Sequence, residues 1–277
     1  MTTAATFKII KPHSERNLAG DIAEIWANRE LLRVLVRREI SVRYRQAVIG
    51  LLWVLLQPLL TTAIFTTVFV VFVRIPDTGQ SYPLFTFAGL AIWQYFSRIV
   101  SDGANSLVAN SALITKVSLP RMIIPMVSPL AAALDCMIAV AALIVTALLM
   151  GTHVSWTVIF VPLVILAVAC FGYSIALWLA PLNAIYRDVG IALPFVLQIG
   201  MYLSPIVYPA SLVPEKIRWL FELNPIAVMV NAMRCVVLGA EAPSLAALTA
   251  FVIFTWLLFW GGIEVFRRME GNLIDRI

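Results

Sequence analysis

Charge is what this 277-residue sequence has least of. Only 13% of it is Asp, Glu, Lys or Arg, against about 25% in an average soluble domain, while 61% is hydrophobic and the mean hydropathy is +0.94. That scarcity excludes a soluble globular enzyme and describes an all-α polytopic membrane protein. The length gives room for about six spans of roughly 20 residues, with short loops and no large soluble domain. No G-x-x-x-x-G-K-[ST] loop occurs, so the chain is not expected to hydrolyse ATP alone. The histidines, His13 and His153, each lack a second histidine nearby, and Cys136, Cys170 and Cys235 stand isolated in apolar surroundings. Neither set has metal-ligand spacing, and the cysteines read as small buried hydrophobes. No loop carries paired carboxylates at short spacing, which a membrane-bound glycosyl- or phosphotransferase needs to hold a metal and act as base. No apolar run precedes a small-residue cleavage site in the first 45 residues, so no cleavable signal peptide is expected.

What is present begins with arginine. Residues 1–45 read as a cytoplasmic tail followed by an amphipathic interfacial helix. Leu18, Ile22, Ile25 and Trp26 recur at helical spacing opposite Asp21 and Glu24, and then Leu31, Leu32, Leu35, Val36 and Ile40 oppose Arg29, Arg33, Arg37, Arg38, Arg43 and Arg45. Residues 46–277 read as a six-span domain, with spans at about Ile49–Val73, Leu84–Ala109, Ile123–Met150, Trp156–Ala180, Val189–Val207 and Leu245–Phe266. With the N-terminus inside, nine Lys/Arg of the tail join Lys116, Arg121, Arg187, Arg267, Arg268 and Arg276 on the cytoplasmic side. Only Arg74, Lys216, Arg218 and Arg234 then fall outside, fifteen against four, so both termini are expected in the cytoplasm. The same rule accounts for the net charge of +5 without a nucleic-acid partner.

Between the fifth and sixth spans the pattern changes. Pro214–Leu223 reads as a short amphipathic helix. Asn224-Pro225 then reads as an N-cap with its first helical residue, and Gly239 as a C-terminal stop. The helix between, Ile226–Leu238, is about half a span, a length that suits re-entrant or interfacial pieces. Two short helices over about 209–242 therefore suggest an outer gate, with a plain external loop as the alternative.

Charges within spans are costly and mark functional candidates. Arg98 and Asp102 are four apart and could pair on one helix face, and Asp135 stands alone among small residues. Asp135 is read as a structural hydrogen-bond partner, with a proton path as the competing role. Glu264 reads as a local salt-bridge partner of Arg267 or Arg268, and Gln57-Pro58 as a bend. Among the many aromatics, Trp53, Tyr202 and Tyr208 are candidates for a pore or gate, because aromatic faces stack on the apolar C–H patches of sugar rings.

The run VRREISVRYRQAVIGLLWVLLQPLL (Val36–Leu60) resembles the opening of ABC-2-type permeases that export bacterial polysaccharides. NSALITKVSLPRMIIP (Asn110–Pro125), NAIYRDVGIALPFVLQIGMYLSPIVYP (Asn183–Pro209) and LNPIAVMVNAMRCVVLG (Leu223–Gly239) continue the resemblance in order. It implies a homodimer in the bacterial cytoplasmic membrane, working with two copies of a separate ATPase subunit that binds ATP and Mg. No cofactor belongs to this chain itself. The implied cargo is an undecaprenyl-diphosphate-linked glycan, most simply an O-antigen; capsule, teichoic acid or a smaller lipid or drug remain open. Arg37, Arg38, Arg43 and Arg45 would meet the diphosphate, since guanidinium forks suit phosphate oxygens. Glu24, Arg29, Arg33, Lys116, Arg121, Arg187 and Asp188 fall in the segments that would dock on the ATPase. The contrasting reading is an ion-coupled carrier or lipid flippase working without ATP, which would need titratable intramembrane groups and an inverted repeat. Only Asp135 fits, and no repeat is visible.

Overall fold

The computed structural model describes residue 20 and residues 25–45, 52–74, 81–116, 119–209 and 214–273, and every regular element among them is helical. Glu24 lies outside the described residues. Helix α1 (Arg29–Arg45) has Glu30 in its first turn and Arg43 and Arg45 in its last, charges that complement the helix dipole. It buries Leu35 and lies against the long helix α5 (Ile123–Leu149). Helix α2 (Leu52–Thr66) runs through Pro58 without interruption. The expected change of geometry comes later than Gln57-Pro58, where α2 widens into a π-helical stretch at Thr67–Phe72 and stops at Arg74, φ 55°. The hydroxyls of Thr61 and Thr67 donate to the carbonyls of Gln57 and Ala63 one turn back, which satisfies them inside an apolar helix.

Helix α3 (Tyr82–Ala109) is the axis of the bundle, with 17 of its 28 residues buried. It packs on α5 and on α6 (Val161–Ile185), which a 3-10 turn at Trp156–Phe160 leads in. Without a hydrophobic driving force in lipid, such contacts rest on close approach of small residues. A Cβ on Gly103 would come within 2.5 Å of the Ala176 Cβ, and one on Gly172 within 2.8 Å of Ile99 Cγ2. The obstacle at Gly103 is a buried methyl group fixed to the backbone, not the free end of a flexible side chain. Gly103→Val is therefore expected to lower stability by about 1–3 kcal/mol through overpacking, read as an earlier thermal unfolding in detergent.

The short helix α4 (Ser111–Lys116) follows α3, and α7 (Asp188–Leu203) follows α6. The two short helices expected over about 209–242 appear as α8 (Glu215–Glu222) and α9 (Pro225–Leu238). Asn224 Oδ1 accepts from the backbone N–H groups of Ile226 and Ala227, and Gly239 closes α9 in the left-handed region at φ 69°. Helix α10 (Leu245–Leu273) continues past the expected end at Phe266 by two further turns. It is fastened to α6 by Trp178, whose Nε1–H donates to the Leu258 carbonyl at 2.8 Å beside Gly261 and Gly262.

Four helical segments among the described residues are long and apolar enough to cross a membrane: Leu52–Phe72, Ile123–Leu149, Trp156–Ile185 and Leu245–Glu270. Of the other two expected spans, α3 has the length but carries Arg98 and Asp102, and α7 has only 16 residues. The architecture is thus an all-helical polytopic membrane bundle. Its flank is bare, since α2 buries only Pro58 and Thr62 and α7 only Leu193.

Candidate functional site

Helices α1, α2, α3, α5 and α7 line a cavity of about 840 Å³. Trp53, Gln57 and Thr61 of α2, Trp93 and Gln94 of α3 and Met201 of α7 form its neutral walls. At one end stand Arg43 and Tyr44 of α1, Arg98 and Asp102 of α3, and Asp135 of α5.

These charges are wired across helices rather than along them. Arg43 Nη1 donates to Asp135 Oδ2 at 2.9 Å and its Nη2 to Asp102 Oδ2 at 2.9 Å. Arg98 Nη1 reaches the same Asp135 Oδ2 at 2.6 Å, and the Tyr44 hydroxyl donates to Asp135 Oδ1. The expected pairing of Arg98 with Asp102 is replaced, because each finds its partner on another helix, Arg98 on α5 and Asp102 on α1. Asp135 accepts from other helices, and its partners are two guanidinium groups and a phenol. Burial, and then the bond to Asp135, push the Tyr44 phenol up to about 12, so it remains a neutral donor at physiological pH. Two arginines and two aspartates balance in charge, which makes such a cluster tolerable beside an apolar interior. Glu39, more exposed, lies 3.5 Å from Arg43 one turn earlier on α1.

Of the other arginines proposed for a head group, Arg37, Arg38 and Arg45 are exposed on α1. Arg29 and Arg33 are exposed too, with Arg29 against the Trp26 ring and Arg33 paired with Glu30. Lys116, Arg187 and Asp188 stand on the surface. Arg121 turns inward instead: its Nη1 donates to the Glu270 carbonyl at 2.7 Å and its Nε lies 3.7 Å from the Glu270 carboxylate. The overlong α10 thus backs the segment after α4, which sequence alone did not foretell. Asn183 of the NAIYRD run is buried and donates to the Ala104 carbonyl and to Asn105 Oδ1, both at 3.0 Å, joining α6 to α3. Arg268 pairs with Glu264 at 2.6 Å along α10. Cys136 is buried as expected, whereas Cys170 faces outward from α6.

The opposite end of the bundle is organised by a residue that its position in the sequence assigns to the external loop charges. Arg234 of α9 is 2% exposed. Its guanidinium donates to the carbonyls of Phe85 (3.1 Å), Pro205 (3.1 Å) and Ile206 (2.6 Å) and to Asn231 Oδ1 (3.0 Å), and its Cζ sits 3.3 Å from the centroid of the Phe85 ring. It holds the irregular stretch after α7 against the start of α3. The signal is there to be found: an arginine amid Met233, Cys235, Val236 and Val237 in an apolar half-helix is a charge inside a buried segment. Tyr202 and Tyr208 meet at this end, where the Tyr208 hydroxyl donates to the Tyr202 carbonyl at 3.0 Å and its ring packs edge-on against Phe221 of α8. Neither tyrosine lines the cavity that holds Trp53. Asn224 also donates to Ser204 Oγ at 2.9 Å, so the cap of α9 is tied to the bend after α7.

A family profile described as ABC-2 type transporter matches residues 30–238. An O-antigen export system permease protein RfbA of Myxococcus xanthus is 26% identical over 258 residues, 92% of this chain and 98% of its own length. A protein of the same name from Klebsiella pneumoniae is 29% identical over 253 residues, 89% of this chain and 94% of its own. A further one from that organism is 28% identical over 208 residues, 74% of this chain and 79% of its own.

Proposed function

The chain belongs to the ABC-2 type transporter family, and on that premise we propose that it is the membrane subunit of an exporter carrying an undecaprenyl-diphosphate-linked O-antigen across the bacterial cytoplasmic membrane. Family membership makes it a membrane subunit that works with a separate ATPase. The observation that carries the substrate reading is the near full-length likeness to permeases named for O-antigen export. In this reading α3 and α7 are the second and fifth of six spans, both termini are cytoplasmic, and α8 and α9 form the outer gate.

Two ATPase subunits bind ATP and Mg, dock on α1, α4 and the Arg187-Asp188 turn, and close. Two copies of this chain meet along α2 and α7, whose apolar residues Leu60, Ile64, Ile191, Phe195 and Val196 are exposed in the single chain. The lipid diphosphate makes its first contact with the exposed Arg37, Arg38 and Arg45, beside Arg43. Closure moves α1, the channel opens between the copies, and the glycan passes outward. Asp135, the residue on which the ion-coupled alternative would rest, is engaged by Arg43 and Arg98.

Deleting the gene is expected to remove the surface O-antigen and to accumulate its lipid-linked precursor inside the cell, with both restored by a plasmid copy. Unchanged surface glycan would reject the reading. The combined Arg37→Ala, Arg38→Ala and Arg45→Ala variant is expected to export at least about tenfold more slowly in a normally assembled complex, given the strength of charge-assisted phosphate contacts. Wild-type export by that variant would remove the arginines from the mechanism.

A further inference from the structure

We infer that Arg98 is the receptor of an oxyanion site at the charged end of the cavity, that Asp135 occupies this site as an internal placeholder, and that the incoming ligand is a phosphate group of a lipid diphosphate. The choice of ligand rests on the exporter reading; the site itself rests on geometry.

Two guanidinium groups and a phenolic hydroxyl converge on the Asp135 carboxylate, with Arg43 and Arg98 both directed at Oδ2 and Tyr44 at Oδ1. Arg43 divides its fork between Asp135 and Asp102, whereas Arg98 gives Asp135 a single N–H, so the remaining donors of its fork suit an anion with more oxygens. The layout also says which arm yields. Asp135 has three partners and a side chain only 12% exposed, whereas Arg98 is 39% exposed, borders the cavity and bonds Asp135 alone among the described residues. When Arg98 swings to a phosphate, Asp135 keeps Arg43 and Tyr44, and no buried charge is left without a partner. Exchange at Arg98 therefore avoids the penalty of stranding an ion, which release of Arg43 would incur at Asp102.

The cavity supplies the room. Its volume of about 840 Å³ is within the range of sites that hold drug-sized ligands, and it opens directly on Arg98. Trp53 and Trp93 offer aromatic faces there, and Gln57, Gln94 and Thr61 offer neutral polar groups. That lining matches a sugar attached to the phosphate, with ring C–H faces against indoles and hydroxyls against amides. Binding would also loosen one of the ties to Asp135, so occupation of the cavity is felt where α1 is anchored.

The test uses the complete complex of this chain with its ATPase subunit in nanodiscs of zwitterionic lipid, with the nucleotide sites filled by ADP, titrated calorimetrically with inorganic pyrophosphate. Asp135→Asn removes the competing charge and is expected to tighten binding about tenfold or more, since close charges in a partly buried site interact strongly. Arg98→Gln is expected to abolish that binding, alone and combined with Asp135→Asn. Equal binding by wild type and Arg98→Gln, or no tightening in an assembled Asp135→Asn complex, would overturn the site. Should Asp135→Asn fail to assemble, the comparison of wild type with Arg98→Gln still decides. Nanodiscs doped with a polyprenyl diphosphate are expected to compete with pyrophosphate, whereas phosphatidylglycerol is not; equal competition by phosphatidylglycerol, or none by the diphosphate lipid, would overturn the ligand assignment. A site that fails here leaves the exporter reading to stand on surface-glycan analysis, and the reverse also holds.

Discussion

Arg234→Leu is expected to lower the unfolding temperature of the purified protein in detergent by about 10 °C. The leucine leaves the carbonyls of Phe85, Pro205 and Ile206 buried without their donor. Each such group costs about 1–3 kcal/mol; the Phe85 carbonyl keeps its bond within α3, so the other two set a loss of about 2–6 kcal/mol, and a chain of this size shifts by about 2–4 °C per kcal/mol. The attraction between the guanidinium and the Phe85 ring is lost as well. Arg234→Lys keeps the charge but not the fork, because one ammonium cannot address acceptors in three directions with the same geometry. It should fall between wild type and leucine. Gly89→Ala reaches the same place from the other side, since its Cβ would lie 2.8 Å from the Ile206 carbonyl and 2.9 Å from Arg234 Nη2. Wild-type stability in Arg234→Leu would mean that the bend at 204–207 is held by something else.

The second large effect is at Arg43. Arg43→Gln removes the link between α1 and two other helices, taking from Asp102 its one cationic partner among the described residues and from Asp135 one of three donors. Breaking a buried ion pair costs about 3–5 kcal/mol, and the lower end applies because Asp102 is 40% exposed. Adding Asp102→Asn should restore part of the loss, with a coupling of about 1 kcal/mol in a double-mutant cycle. The functional signature is distinct from unfolding: under the proposed coupling through α1, the assembled complex should hydrolyse ATP while exporting little. Proportional loss of hydrolysis and export would instead point to failed assembly.

Much of the architecture is legible in the sequence because its signals are local. Asn224-Pro225 and Gly239 mark the ends of α9 through a side-chain cap, a fixed φ and a left-handed backbone, all readable from three residues. The arginine stripe marks out α1, described over Arg29–Arg45, as an amphipathic helix. The wiring of the site is not legible, for an equally physical reason. Arg98 and Asp102 satisfy the spacing rule for a helical pair, yet Asp135, 37 residues beyond Arg98, offers a carboxylate already surrounded by cationic groups. Spacing along one helix cannot weigh a partner supplied by another. Arg234 reads as a loop charge when charges are sorted by their position between spans, and as a buried one only when the apolarity of its neighbours is weighed. Helix α10 outruns its apolar stretch because Arg121 holds its end at Glu270.

The proposed role of this chain is that of a conduit for a lipid-linked glycan, driven by a separate ATPase subunit. Its most direct measurement is transport in proteoliposomes holding this chain and its ATPase partner, loaded with an undecaprenyl-diphosphate-linked O-antigen. Glycan should become accessible to an enzyme on the far side only when ATP and the partner are both present, and should stay inaccessible with a hydrolysis-deficient partner. Equal movement without ATP, or without the partner subunit, would contradict the account.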